Sequence, residues 1–214
     1  MGERNPHQKV MTMKKRLAGI LFTSAAVASA VGLGVSPASA DTTISLTYPV
    51  SGSTYINAIH TSIPLGPGTL AATADLTTSA ITGSINLPPA TGSFDELGFV
   101  PVTATTEFVP SGQTTGTLES GGGIQATSKI TLKLTSLKVA GIPVPVGNSC
   151  QTSTPATITL TSQAGFNALT GGTVSGTYTI PRFAHCLLAT PLINLTLPGP
   201  NNTITLTLGA ATGG

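Results

Sequence analysis

Between Ile130 and Val146 the order of apolar, polar and proline residues leaves the backbone few arrangements. Ile130, Leu132 and Leu134 alternate with Lys129, Thr131 and Lys133, the period of two that marks a strand with one buried face. The apolar positions then change parity to Leu137 and Val139. One extra residue near Thr135–Ser136 would do this, so a β-bulge is predicted there. Ala140–Gly141 follows as a two-residue link, with glycine where a positive φ is needed. A hairpin closed on that link sets Val139 opposite Ile142 and Leu137 opposite Val144, each as a hydrogen-bonded pair. The residues between them on the second arm should point their N–H groups outward, and these are Pro143 and Pro145, which have none. Register and proline placement therefore agree, and Ile142 to Val146 is predicted as an edge strand blocked against further pairing. An extended polyproline-like linker is the alternative for this segment.

Residues 1–40 read as a leader outside the fold. Lys14, Lys15 and Arg16 form a basic start, Leu17 to Val35 is apolar and small, and Ala38-Ser39-Ala40 is a cleavage signature. Export with cleavage between Ala40 and Asp41 is expected, with Met13 a better start than Met1. An uncleaved anchor is the alternative, countered by the small residues Gly32, Gly34 and Ser36 before the cleavage site. The whole chain has a formal charge of +2, but five of its nine cations and one of its seven acids lie in the leader. Cleavage leaves four cations against six carboxylates, a net charge of −2. The electrostatic footing for nucleic-acid binding is thereby lost. No other apolar run is long enough to span a bilayer as a helix.

Residues 41–214 are expected to form a single exported β domain, with Gly121–Gly123 as a flexible link and the best candidate for any boundary. Threonine alternates with Ile, Leu and Val, which suits a sheet with one solvated and one buried face. Aromatic residues make up only 4% and tryptophan is absent, so the core must be aliphatic. Strand candidates are Thr43–Tyr48, turned by Pro49–Ser53, then Thr69–Leu76, Ser79–Leu87, Phe99–Phe108 and Thr114–Ser120. Ala156–Ser162 and Thr173–Ile180 continue the series, and Tyr55–Ile63 is ambiguous. Leu192–Leu197 and Thr203–Leu208 are expected to pair as a second hairpin, and Gln163–Thr170 is the one candidate helical turn. The fold class is all-β, an antiparallel sandwich or barrel of about ten to twelve short strands with one disulfide.

Cys150 and Cys186 are the only cysteines, and in an exported chain two cysteines most simply pair with each other. No CxxC occurs, and His185 is the only metal-ligand type near them, so no metal site is expected. A serine-hydrolase elbow of the form GxSxG is absent. His60 and His185 are the only histidines after the leader, so a general base would have to be one of them or a carboxylate. Asp95-Glu96 is the only acidic pair and reads as a solvated turn rather than a calcium loop. Asn194 and Asn201 each begin an N-x-T sequence. Phosphate-loop, haem and zinc spacings are missing, and no cofactor or catalytic residue is expected.

The leader, the single wide-spaced cysteine pair and the segment Ile180-Pro-Arg-Phe-Ala-His-Cys186 carry a resemblance to small, Thr/Gly/Pro-rich secreted actinobacterial proteins of uncharacterised function. The resemblance implies an extracellular or cell-envelope location and supplies no catalytic residues. Three functions remain to be weighed. The first is a non-enzymatic exported domain that binds or decorates a cell-envelope component. The second is a carrier of a lipid or other apolar small molecule, which requires an apolar pocket above about 300 Å³. The third is a hydrolase, which requires His60 or His185 beside a carboxylate and a Ser or Thr hydroxyl in a cleft.

Overall fold

The computed structural model describes residues 42–96 and 98–213; the expected leader and cleavage site lie outside the described residues. The chain forms strands β1 (Thr43–Ile56), β2 (Thr61–Asp75), β3 (Ala80–Asn86), β4 (Ala90–Glu96), β5 (Val100–Pro110), β6 (Thr114–Leu118) and β7 (Ile124–Val139). Then follow β8 (Ile142–Pro143), β9 (Gln151–Thr152), β10 (Ala156–Ser162), β11 (Gly172–Ile180) and β12 (Phe183–Ala184). A short helix, α1 (Thr190–Thr196), precedes β13 (Gly199–Leu208) and β14 (Thr212–Gly213).

Eight of these strands close an antiparallel barrel in the order β10-β11-β13-β1-β2-β3-β6-β7, with β7 returning to β10 through pairs such as Ile158↔Ser128. Two long strands shape the rest. The first half of β7 pairs with β6 and β10, and its second half, from Ile130 to Val139, pairs with β5, which carries β4 at its outer edge. The first half of β2 pairs with β1 alone, and its second half also pairs with β3. Ile63 of β2 lies against Gly92 of β4 where no ladder joins the two strands. Glycine is required where strands cross most closely. A Cβ on Gly176 would collide with the Thr159 carbonyl, and one on Gly52 with the Thr205 carbonyl.

Inner and outer faces separate as strand alternation dictates. On β13, Asn202, Ile204, Leu206 and Leu208 are buried, while Asn201, Thr203, Thr205 and Thr207 face out. Val50, Leu65, Leu132, Leu134 and Val174 meet them in an aliphatic core. Outside, hydroxyls of adjacent strands hydrogen-bond across the ladder at Ser45–Thr73, Thr91–Thr105, Ser93–Thr103 and Ser111–Thr131. The buried polar groups are also satisfied. The single proton of the Thr54 hydroxyl goes to the Thr203 carbonyl (2.9 Å), so the Tyr178 hydroxyl donates to Thr54 Oγ1 (2.7 Å). Fully buried Asn202 donates to the carbonyls of Gly199 and Tyr178 and accepts from the Asn57 N–H.

The Ile130 hairpin forms with the expected bulge. Thr105 pairs with Ser136 and Thr106 with Leu134, leaving Thr135 as the extra residue. Ala140 (φ 49°) and Gly141 (φ 79°) close the turn, Val139 faces Ile142, and the Val144 N–H donates to the Leu137 carbonyl (2.9 Å). The edge strand is shorter than expected, since β8 ends at Pro143, and Ile142 is 69% exposed because the hairpin tip projects past the core.

Other expectations are corrected. The strands among the described residues number fourteen rather than ten to twelve, because four hold only two residues and are too short to show a period. Pro49 does not turn the chain. It lies within β1, pairs with Thr69, and its carbonyl accepts from Gly209 between the stretches of β1 that pair with β13 and β14. Tyr55–Ile63 divides into the end of β1, a short 3₁₀ turn (Asn57–Ile59) and the start of β2. Gln163–Thr170 is not helical: the Asn167 side chain accepts from the Leu169 and Thr170 amides, and Asn167 bridges to Gly171. Asp95 and Glu96 lie in strand β4 opposite Pro101 and Val100, not in a turn. Gly121–Gly123 makes the tight connection from β6 to β7, with the Glu119 amide bonded to the Gly123 carbonyl.

Leu192–Leu197 is not a strand of a second hairpin but most of α1 and its C-terminal cap. Pro191 sits in the first turn of this helix, where its missing N–H costs nothing. Ala189 and Ile193, four residues apart, are buried, and Leu197 packs partly against the core. Leu195, which a strand would have turned inward with Ile193, is 83% exposed.

Candidate functional site

The two cysteines join as the expected disulfide, with both residues fully buried. Cys150 leads into β9, which pairs with β12 through Thr152↔Phe183 and Gln151↔Ala184, and Cys186 leads into the turn before α1. The Asn194 carboxamide on α1 accepts from the Phe183 N–H (2.7 Å) and donates to the Phe183 carbonyl (2.8 Å). The disulfide, the β9–β12 pair and this carboxamide together hold residues 181–197 against one end of the barrel.

The hydrolase geometry is not assembled among the described residues. His60 and His185 are exposed residues at turns with positive φ, and neither side chain is hydrogen-bonded to a carboxylate. No group of three or more His, Cys, Asp or Glu could hold a metal ion among the described residues. Inside the barrel the apolar voids are small. Two lie around Thr54, Leu132 and Tyr178, with volumes of about 40 and 60 Å³. A third, of about 60 Å³, lies near Val50 and Leu206. Beneath α1 an apolar recess of about 170 Å³ is lined by Val100, Val139, Leu192 and Leu197, with Glu96 at its edge. Around that end Leu188 is 98% exposed and Leu195 83%. No helix among the described residues is long and apolar enough to cross a membrane.

A concavity of about 650 Å³, larger than those above, is on the outer surface where β10 and β11 part. Their last ladder pair is Ile158↔Tyr178, and the next backbone bond joins the Ser153 N–H to the Arg182 carbonyl (2.8 Å). Residues 154–157 and 179–181 between these points make no ladder with each other, and each stretch contains a proline, Pro155 or Pro181, which cannot donate. On the other side of β11 the register with β13 shifts between Tyr178 and Ile180. Ala156 and Tyr178 floor the groove; Thr157, Thr177, Thr179, Thr203 and Asn201 wall it. Those threonine hydroxyls and the Asn201 carboxamide are exposed and have no side-chain hydrogen-bond partner among the described residues, a state they share with Thr159, Thr205 and Thr207 on the same strands; what sets them apart is that they surround one concavity.

Sequence reasoning did not single out this groove. Its walls read as ordinary strand faces, and only the prolines at Pro155 and Pro181 hint that the ladder is interrupted. Of the two N-x-T asparagines, Asn194 is engaged with Phe183, whereas Asn201 (φ 63°) is exposed on the groove wall. Comparison with protein-family models, with curated proteins and with solved structures finds no match to this chain.

Proposed function

We propose that this protein is a non-enzymatic exported domain that binds a cell-envelope component through its outer surface. The observation that carries this reading is the filled interior. The barrel voids of about 40 to 60 Å³ admit a water or two, while the outer groove offers about 650 Å³ beside exposed hydroxyls. The leader supports an exported location, and the exposed leucines beside α1 fit a protein that works against a surface. The alternative, a carrier of an apolar ligand, would have to use the recess of about 170 Å³ under α1, well short of the roughly 300 Å³ that ligand pockets start from.

Native mass spectrometry of protein recovered from culture medium, with co-sedimentation on isolated envelope, tests the reading. An unliganded mass that begins at Asp41, together with sedimentation on envelope, is expected. A stoichiometric co-purifying lipid would favour the carrier, and failure to sediment would remove the envelope role.

A further inference from the structure

We propose that the groove between β10 and β11 binds an anionic polyhydroxylated chain, a glycan or polyol bearing phosphate or carboxylate groups. This rests on the envelope-binding reading and names its ligand. The first observation is the hydroxyl set. Thr157, Thr177, Thr179 and Thr203 stand with Asn201 around one concavity, and none makes a side-chain bond within the described protein. Each threonine can donate one hydrogen bond and accept others, and the carboxamide can do both, which matches the mixed donors and acceptors of a polyol. Pro155, Pro181 and Pro200 supply flat apolar surface for the C–H faces of such a chain.

Charge is the second observation. No Asp or Glu occurs after Glu119, so β7, β10, β11 and β13, which lie side by side in the barrel, contain no carboxylate. Four cations, Lys129, Lys133, Lys138 and Arg182, fall in that same part of the chain. Lys133 pairs with Glu107 of β5 at 3.3 Å. Two of the others flank the groove: Lys129 is opposite Thr157 in the β7–β10 ladder, and Arg182 directly follows Pro181. A groove with cations at its rim and no acid on its panel favours a negatively charged ligand over a neutral or cationic one. β1, β3 and β6 carry no carboxylate either, so it is the cations that distinguish this side: all four Lys and Arg of the described residues fall after Glu119, and two of them flank the groove.

The test uses protein expressed from the full sequence and three probes: poly(glycerol phosphate), hexagalacturonate and neutral maltohexaose. Calorimetric titration at two salt concentrations is expected to show binding of at least one anionic probe, roughly tenfold or more tighter than maltohexaose and weakening as salt rises. The two anionic probes separate a phosphate from a carboxylate preference. The double variants Thr177→Val/Thr179→Val and Lys129→Gln/Arg182→Gln should each weaken binding by about tenfold while leaving the thermal midpoint unchanged. Equal affinity for maltohexaose, affinity indifferent to salt, binding unchanged in both variants, or no binding of either anionic probe would each overturn the proposal. Sedimentation on isolated envelope by wild-type protein that ignores all three probes would overturn the groove assignment and leave the envelope role standing. Probe binding without envelope sedimentation would do the reverse.

Discussion

The side chain of Asn194 makes both backbone hydrogen bonds to Phe183 that a neighbouring strand would make. A helix residue thus completes the edge of β12, and the bonds require an acceptor and a donor on one planar group. Asn194→Asp keeps the size but loses the donor and sets a carboxylate oxygen against the Phe183 carbonyl. It is expected to lower unfolding stability by about 1–3 kcal/mol in urea titration. A variant as stable as the parent would mean the bracket contributes nothing. The same geometry predicts that Asn194 carries no glycan in the folded protein, since its amide nitrogen is already committed; peptide mapping checks this.

Tyr178 provides a pH prediction. Burial raises its pKa, and burial also raises that of Tyr48. The folded protein therefore holds these protons to higher pH than the unfolded chain, in which tyrosine ionises near the usual value of about 10. Their contribution to stability is complete below that value and is lost as pH rises through the elevated folded values. Denaturation midpoints should be level up to about pH 9 and fall above about pH 10. Tyr178→Phe should reduce that alkaline fall and cost about 1 kcal/mol at neutral pH. An unchanged alkaline slope in the variant would contradict the assignment.

The disulfide closes a loop across a separation of 36 residues. By loop entropy it is worth about 3–4 kcal/mol. Both sulfurs are fully buried, so thiol reductant should act slowly on the native protein and quickly once urea opens the barrel end. Cys150→Ala/Cys186→Ala should shift the urea midpoint down and steepen the slope, because the unfolded chain expands once the loop is open, and a midpoint equal to that of the parent would show that the bond does not constrain the unfolded chain.

At the tip of the β7–β8 hairpin, Ala140 occupies the left-handed region at φ 49°. That conformation costs an ordinary residue about 1 kcal/mol, and asparagine tolerates it better. Ala140 is exposed and its N–H bonds only to the Pro101 carbonyl, so nothing else changes on substitution. Ala140→Asn is expected to raise stability by about 0.5–1 kcal/mol in chemical denaturation. A decrease would mean that the turn does not hold the left-handed geometry in solution.

Much of the fold was legible because its signals are local. The bulge at Thr135 follows from a parity change between Leu134 and Leu137, which no strand can absorb without an extra residue. The α1 error has an equally local cause. Ile193, Leu195 and Leu197 alternate, yet Ala189, Ile193 and Leu197 are also spaced by four, and seven residues cannot decide between the two periods. Pro49 and β4 were misread because a proline or a glycine-containing stretch looks like a turn until its neighbours are known. The groove was invisible for a different reason: Thr157 and Thr179 have the same local pattern as Thr159 and Thr161, and only the loss of pairing between β10 and β11 sets them around a concavity.

By itself the order of amino acids determined that the chain is all-β, that its buried face is aliphatic and its outer face hydroxyl-bearing, and that its two cysteines are joined. These follow from alternation and from the count of thiols, which act over a few residues or allow one pairing. Only the tertiary structure decided that β7 returns to β10 to close a barrel, that its interior is filled, and that Lys129 and Arg182 come to flank one groove. Those outcomes depend on which strands meet across more than a hundred residues of chain, and a period of two contains no information about the identity of the partner.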